Sequence, residues 1–90
     1  MPKVSFTSAL KRFFPELSEE KLPGSTISEV LDQLEKRHPG LKDYLVDERG
    51  VLRKHVNIYI GEALLEERND LKVMVDEDDE ILIFQALSGG

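Results

Sequence analysis

The sequence predicts an α+β fold in which one main helix packs on one face of a mixed sheet. Three observations support this class: an alternating strand at the N-terminus, a capped amphipathic helix near the middle, and an apolar strand close to the C-terminus. The chain has 90 residues, which suit a single domain over 1–90 and are too few for two. Helix and sheet must therefore share one modest apolar core.

The first two strands are predicted within the N-terminal part of the chain. Residues 3–7 alternate polar and apolar side chains, which is the pattern of a half-buried strand. Residues 9–17 place leucines and phenylalanines at helical spacing, but Pro15 interrupts them, so we expect the end of strand one and a turn. Residues 20–22 predict a short second strand, which a Pro-Gly pair ends.

The clearest element is a helix over 26–37, including its cap. Thr26 and Glu29 form a capping box, in which the threonine hydroxyl accepts from the Glu29 amide while the Glu29 side chain reaches back. His-Pro-Gly at 38–40 ends the helix, and one more helical turn is expected at 41–45. The apolar residues after the cap fall at helical spacing on one stripe: Ile27, Val30, Leu31 and Leu34.

Further strands are predicted in the second half of the chain. After a turn at 47–50, strands are expected at 51–53 and 55–60, and residues 71–75 alternate as another strand would. The last strand, 80–86, is apolar on both faces. Such a strand is typical of the centre of a sheet, so we expect it there, with one face available to a partner.

The charge balance argues against nucleic acid as a partner. Lys and Arg total 12, Asp and Glu total 18, and the net charge is −6. Such a chain repels phosphate backbones and lacks the basic stripe of a nucleic-acid binder. It has no apolar run of membrane-spanning length and no signal-peptide core, so we expect a cytoplasmic protein without a membrane partner.

The residue types exclude most catalytic chemistry. There is no cysteine, which removes disulfides, thiolate nucleophiles and Cys-ligated metals. The two histidines, His38 and His55, lie far apart in sequence and offer no metal-ligand spacing. Neither a glycine-rich phosphate loop nor a nucleophile elbow is present. We therefore expect no catalytic residue, no metal site and no enzyme activity in this chain.

The C-terminus carries the chemistry that remains. The chain ends in Leu-Ser-Gly-Gly, and we expect residues 87–90 to form a flexible tail. A carboxylate joined to two glycines is an unhindered electrophile once it is activated as an acyl-adenylate. Because Gly89 and Gly90 have no Cβ, they can pass through a narrow channel and adopt backbone angles closed to other residues. A rigid domain with such an arm suits a carrier.

Several segments match a known family along nearly the whole chain. They are the opening strand at 3–6, the capped helix, Pro-Gly-Leu-Lys-Asp-Tyr-Leu at 39–45, His-Val-Asn-Ile-Tyr-Ile at 55–60, and the end from 79 to 90. In these segments the chain resembles the MoaD/ThiS sulfur carriers, which share the β-grasp fold of ubiquitin. The His-Val-Asn-Ile version is similar to a branch that includes carriers for cysteine biosynthesis.

The resemblance implies a carrier that binds no cofactor of its own. An E1-like adenylyltransferase would use ATP and Mg²⁺ to adenylate the carboxylate of Gly90. A sulfur donor would then convert the adenylate to a thiocarboxylate, which a downstream sulfur-accepting enzyme consumes. Ser88 and Gly89 would be recognised as part of the tail.

The resemblance also implies a docking surface for the activating enzyme. Phe84 matches the family's docking position on the last strand, with Leu82 and Leu87 as its neighbours by strand parity. Parity along one strand leaves open whether Phe84 is an interface residue or a core aromatic.

The chain departs from the family pattern at two places near this strand. Asp78 and Asp79 stand where the family usually has Gly-Asp, and we expect aspartate in a left-handed conformation to preserve the turn. Gln85 and Ala86 stand where the family often has proline, which permits an extra hydrogen bond.

Two other functions remain open at this point. A protein modifier would use the same activation and then join Gly90 to lysine amines of target proteins. A β-grasp interaction module with an idle tail would keep its function after Gly89 and Gly90 were deleted.

Overall fold

The computed structural model describes residues 1–85 and confirms the predicted α+β class with a mixed sheet. The five strands lie in the order β2-β1-β5-β3-β4, with β1 and β5 parallel and the other neighbours antiparallel. β5 is therefore central, as predicted. The elements in chain order are β1 (Lys3–Phe6), α1 (Ser8–Lys11), β2 (Glu20–Lys21), α2 (Ile27–Arg37), α3 (Leu41–Leu45), β3 (Val56–Ile60), β4 (Ala63–Leu64) and β5 (Glu80–Gln85).

One apolar core lies on the face of the sheet that the helices cover, called here the inner face. The four buried residues of α2 are those of the predicted stripe. They share one core cluster with the inner-face side chains of the three long strands. Those inner-face side chains are Val4, Phe6, Val56, Ile58, Ile81 and Ile83.

The cap of α2 forms as predicted. The Oγ1 of Thr26 accepts from the Glu29 N–H at 3.1 Å, and the Glu29 carboxylate accepts from the Ser25 N–H at 3.0 Å. These bonds satisfy two backbone donors that the first turn of a helix leaves unpaired. α2 ends at Arg37, and α3 is the predicted extra helical turn.

The prediction for residues 9–17 is wrong in its first part, because this segment contains α1 instead of the end of strand one, whereas the predicted turn does follow, at 12–13 and 15–16. β1 ends at Phe6, and Thr7 is the N-cap of the short helix, which buries Ala9 and Leu10. Pro15 lies beyond the last helical residue and therefore does not interrupt the helix. The helical spacing was the correct signal for the first turn of this segment.

Two predicted strands, at 51–53 and 71–75, are loops that make single bridges. Leu52 bridges to Val46, and Met74 bridges to Thr26. Their apolar alternation arises because the loops bury side chains under the helices, including Leu71. The strand that pairs with the free edge of β3 is β4, which the sequence did not predict.

The turns near β5 differ from expectation in one respect. Gly50 closes its predicted turn with φ of 79°, but within residues 1–85 only glycines have positive φ. The acidic turn is kept, as expected, but no aspartate in it is left-handed. Asp76 and Asp79 close the acidic turn instead, with N–H···O bonds of 3.1 Å to the Asp76 carbonyl and 2.7 Å to the Asp79 carboxylate. No helix in the described residues has the length and apolar content to span a membrane.

Candidate tail-presenting site

The end of β5 is fixed on both sides by its neighbouring strands. Gln85 opposes Val56 across the β3–β5 ladder. Its N–H donates to Oγ1 of Thr7 at 3.2 Å, and the Thr7 N–H donates to the Ile83 carbonyl at 3.2 Å. A proline at position 85 could not make the first of these bonds, which joins the strand to a threonine side chain and not to the backbone of a neighbouring strand. The chain after Gln85 therefore starts from a defined point, called here the tail exit.

Four of the predicted site residues lie outside the described part of the chain. They are Leu87, Ser88, Gly89 and Gly90. Their roles stay predictions.

The other two predicted site residues, Leu82 and Phe84, share the face of β5 that the helices leave uncovered, called here the outer face. Phe84 is 37% exposed, whereas Ile83 beside it is fully buried. Leu82 is half-buried. Phe84 is therefore a surface aromatic and not part of the core.

Two outer-face residues on neighbouring strands join this apolar surface. Tyr59 opposes Leu82, and Leu64, which is 44% exposed, opposes Tyr59. Tyr59 could have been predicted from the alternation along β3, which places its side chain on the other face of the sheet from that of Ile58. Leu64 carried no signal, because β4 is too short to show an alternating pattern.

The outer face changes from apolar to ionic towards the start of β5. Lys3 opposes Glu80 there, with its Nζ 3.0 Å from the Glu80 carboxylate and 3.4 Å from that of Glu19. Hydrogen bonds to Glu80 and then Glu19, together with their negative charge, raise the pKa of Lys3 above its ordinary 10.5. The apolar half of the face is thus the half nearest the tail exit.

Arg68 ties the loop before β5 to the start of β3. Its guanidinium donates to Oδ1 of Asn57 at 2.8 Å, to the Val56 carbonyl at 2.6 Å, and to the Arg53 carbonyl. These acceptors belong to Val56, which pairs with Gln85, and to residues close to it in sequence. Sequence reasoning missed Arg68, since a lone arginine in a loop carries no signal of its backbone partners.

Four aromatic side chains, called here the aromatic cluster, lie on the helix side of the tail exit. The ring of Tyr44 lies 5.4 Å from that of Phe13, 5.8 Å from that of Phe14 and 5.4 Å from that of His55. Tyr44 and Phe14 also pack against the core. Separations of this size are typical of interacting aromatic pairs.

Metal ligands do not gather anywhere in the described residues. Over residues 1–85, no three or more His, Asp or Glu side chains come together as a metal site would require. His38 pairs with the Glu20 carboxylate at 2.9 Å, while His55 belongs to the aromatic cluster.

Comparisons with known proteins agree with this architecture. The ThiS family profile matches residues 4–90. No curated protein matches the chain significantly.

Three solved structures share the fold over almost the whole chain. A chain of the Amycolatopsis orientalis BexX/CysO complex is 28% identical, with a TM-score of 0.85 and full coverage of both chains. Mycobacterium tuberculosis CysO is 24% identical, with a TM-score of 0.83 over 97% of this chain and 100% of that one. Small archaeal modifier protein 1 from Methanosarcina acetivorans is 25% identical, with a TM-score of 0.79 over 99% and 95%. The chain therefore belongs to the ThiS family and has the ubiquitin-like β-grasp fold.

Proposed function

We propose that this chain is a sulfur carrier that holds sulfur as a thiocarboxylate on Gly90. The observation that carries the proposal is the family match, which extends through residue 90 and so includes the terminal glycines. The central position of β5 supports it, because the strand on which the tail depends is held by a neighbour on each side. In this account residues 1–85 provide recognition and the last residues enter the partner enzyme.

The proposed chemistry replaces one oxygen of the terminal carboxylate by sulfur. A carboxylate oxygen of Gly90 attacks the α-phosphorus of ATP, and pyrophosphate leaves. A sulfide sulfur then attacks the acyl carbon, and AMP leaves with the oxygen that joined it to the carbon. The chain contributes no acid, base or metal to either step; the activating enzyme supplies ATP and Mg²⁺. We propose the cytoplasm as the place of this reaction, since ATP is available there.

The proposed docking site for the activating enzyme is the outer face near the tail exit. Phe84 and Leu64 are exposed there, and Leu82, which is half-buried, lies level with Tyr59 and Leu64 across the strands. Aromatic side chains are frequent anchors of protein interfaces. The complex of CysO with BexX supports the proposal that a chain of this fold binds a partner protein. We include Leu87 in this proposed surface, although it lies outside the described residues.

The proposal is tested by the intact mass of the chain after reaction. The protein is incubated with ATP, Mg²⁺, sulfide and an E1-like adenylating enzyme of the same organism that is active on another carrier. We expect a mass gain equal to replacing one oxygen by sulfur, mapped to Gly90. The Gly90→Val variant should fold normally and gain no mass, because a branched Cβ hinders the adenylated carbonyl. No gain with the native chain would contradict the proposal.

A second candidate function is protein modification, which the similarity to small archaeal modifier protein 1 favours. It requires the same activation, followed by attack of a lysine amine on the acyl carbon of Gly90. Covalent conjugates in cell extract that disappear when Gly90 is deleted would support it. Full function after deletion of both Gly89 and Gly90 would contradict both candidates.

A further inference from the structure

The tail exit has a second exposed surface besides the outer face. The aromatic cluster lies on the helix side, where Phe13 is 61% exposed although it packs on Tyr44. Phe13 is among the most exposed large apolar side chains of the described residues. An aromatic ring that is held against a neighbour but left in water is a ready anchor for a partner.

Positively charged residues stand next to members of this cluster in the sequence, in contrast to the acidic chain as a whole. Lys11 and Arg12 precede Phe13, and Arg53 and Lys54 precede His55; all four are exposed. Within residues 1–85 none of the four takes part in a salt bridge. The segments that contribute to the cluster, at 11–16, 41–45 and 53–55, also contain the carboxylates of Glu16 and Asp43. These two negative charges are fewer than the four positive charges, so an excess of positive charge remains.

The opposite end of β5 has the opposite charge. The turn that leads into this strand is the acidic run at 76–79, followed by Glu80. A six-residue strand separates the two ends by about 20 Å. At physiological salt, charges at that distance are screened from each other, so the basic end acts locally on a partner.

The cluster is close enough to the tail exit to touch an enzyme that takes the tail from the helix side of the sheet. His55 precedes Val56, which pairs with Gln85, and Oγ1 of Thr7, the residue just before α1, accepts from the Gln85 N–H. The residues at 86–90 can reach at most about 18 Å, even fully extended. An enzyme that brings Gly90 to its reacting groups must therefore place the mouth of its active site over this end.

The two surfaces at the tail exit fit two partners. A standard interface hides about 800 Å² on each protein. That area corresponds to roughly one face of a domain with extents of 36 × 27 × 25 Å. The outer face and the aromatic cluster lie on opposite sides of the sheet, since Phe14 and Tyr44 pack against the core. A partner seated on Phe84 therefore leaves the cluster free.

Given the proposed function, we propose that the aromatic cluster docks the enzyme that consumes the thiocarboxylate. That enzyme has a pocket for the Phe13 ring at the mouth of its active site. A rim of carboxylates around the pocket pairs with Lys11, Arg12, Arg53 and Lys54. Loading and unloading thus use different sides of one tail exit.

The test measures the thiocarboxylate fraction of the chain isolated from its own cells, in which the native copy is replaced by variants. Phe13→Ser should raise this fraction, because loading continues while docking to the consuming enzyme weakens about tenfold. Arg12→Glu, which leaves the aromatic packing intact, should raise it less. Phe84→Ala should lower it. Met74→Ala is the matched control, because Met74 is 71% exposed outside the cluster and should change nothing.

Two results would overturn this inference. A lower fraction in Phe13→Ser would assign the cluster to the loading step, and an unchanged fraction in both cluster variants would mean that no consuming enzyme docks there. Failure of the proposed function is recognised separately, because the native chain itself would then carry no thiocarboxylate.

Discussion

On the inner face of β5, Ile81 and Ile83 are 1% and 0% exposed, whereas on the outer face Phe84 is 37% exposed. All three are large apolar side chains on one strand, so composition does not separate them. The inner pair loses its contact with water when the helices pack, and burial of such a side chain stabilises the fold by roughly 1.5–3 kcal/mol. The outer side chain keeps about a third of its area exposed, and in the proposed function this area contacts a partner.

This difference shows how a central strand can build the core with one face and, in the proposed function, offer the other face to a partner. Each residue step along β5 moves the side chain to the other face, so neighbouring positions have separate roles. Variants on one face should therefore change the free energy of unfolding, and variants on the other face should change the reaction of the tail.

The largest effect is expected for Ile83→Ala. It removes a fully buried side chain and leaves a cavity in the core, so the free energy of unfolding should fall by about 2–5 kcal/mol. Urea denaturation measures this change. Leu82→Ala on the outer face is the matched control and should cost well under half as much. Equal losses of unfolding free energy in the two variants would contradict the proposed difference between the two faces.

A smaller loss is expected for Arg68→Ala. It leaves the carbonyls of Val56 and Arg53 and the Asn57 side chain without their charged donor. The free energy of unfolding should therefore fall by about 1.5–3 kcal/mol. Arg68→Lys should recover only part, because an ammonium cannot reproduce the planar fork of donors. Thermal unfolding of both variants checks this. Full recovery by lysine would show that charge alone, and not the hydrogen-bond geometry, is what matters.

A pH-dependent effect is expected at Glu35, which is remote from either face of β5. Its carboxylate accepts from the N–H groups of Gly40 and Lys42 at 3.0 and 2.9 Å, and these bonds lower the pKa of Glu35 below its ordinary 4.5. The stabilisation is therefore present above that ordinary value and is lost as the pH falls through the folded pKa.

Glu35→Gln should consequently be less stable at neutral pH and should lose less stability on acidification. The pKa of Asp47 is also lowered, chiefly by the Val51 N–H. In this variant Asp47 should still lose its own stabilising contribution as the pH falls. Urea denaturation across the acid range provides the measurement. An acid loss as steep as that of the native chain would contradict the role of Glu35.

The features that could be predicted from sequence are those specified locally or by strong periodicity. The cap at Thr26 and Glu29 depends on residues three apart, and α2 repeats its apolar stripe over 11 residues. The apolar content of β5 was enough to predict its central place. Parity could not decide which face of β5 the helices cover, because both faces are apolar.

The features that were missed depend on contacts between distant segments. Residues 71–75 alternate as a strand does, but β4 pairs with the edge of β3 and leaves them one bridge through Met74. The aromatic cluster is assembled from the segment after α1, from α3 and from the residue before β3. No local pattern links Phe13, Tyr44 and His55, although each was visible in the sequence.

The most direct test of the account compares Phe84→Ala with Ile83→Ala in two assays. Phe84→Ala should lower the free energy of unfolding by less than about 1 kcal/mol, since its side chain is already partly in water. It should nevertheless reduce thiocarboxylate formation by tenfold or more, the size expected on loss of an interface anchor. Ile83→Ala, compared at equal concentration of folded protein, should be destabilised and still be loaded. Normal loading of Phe84→Ala would contradict the assignment of the outer face to the activating enzyme.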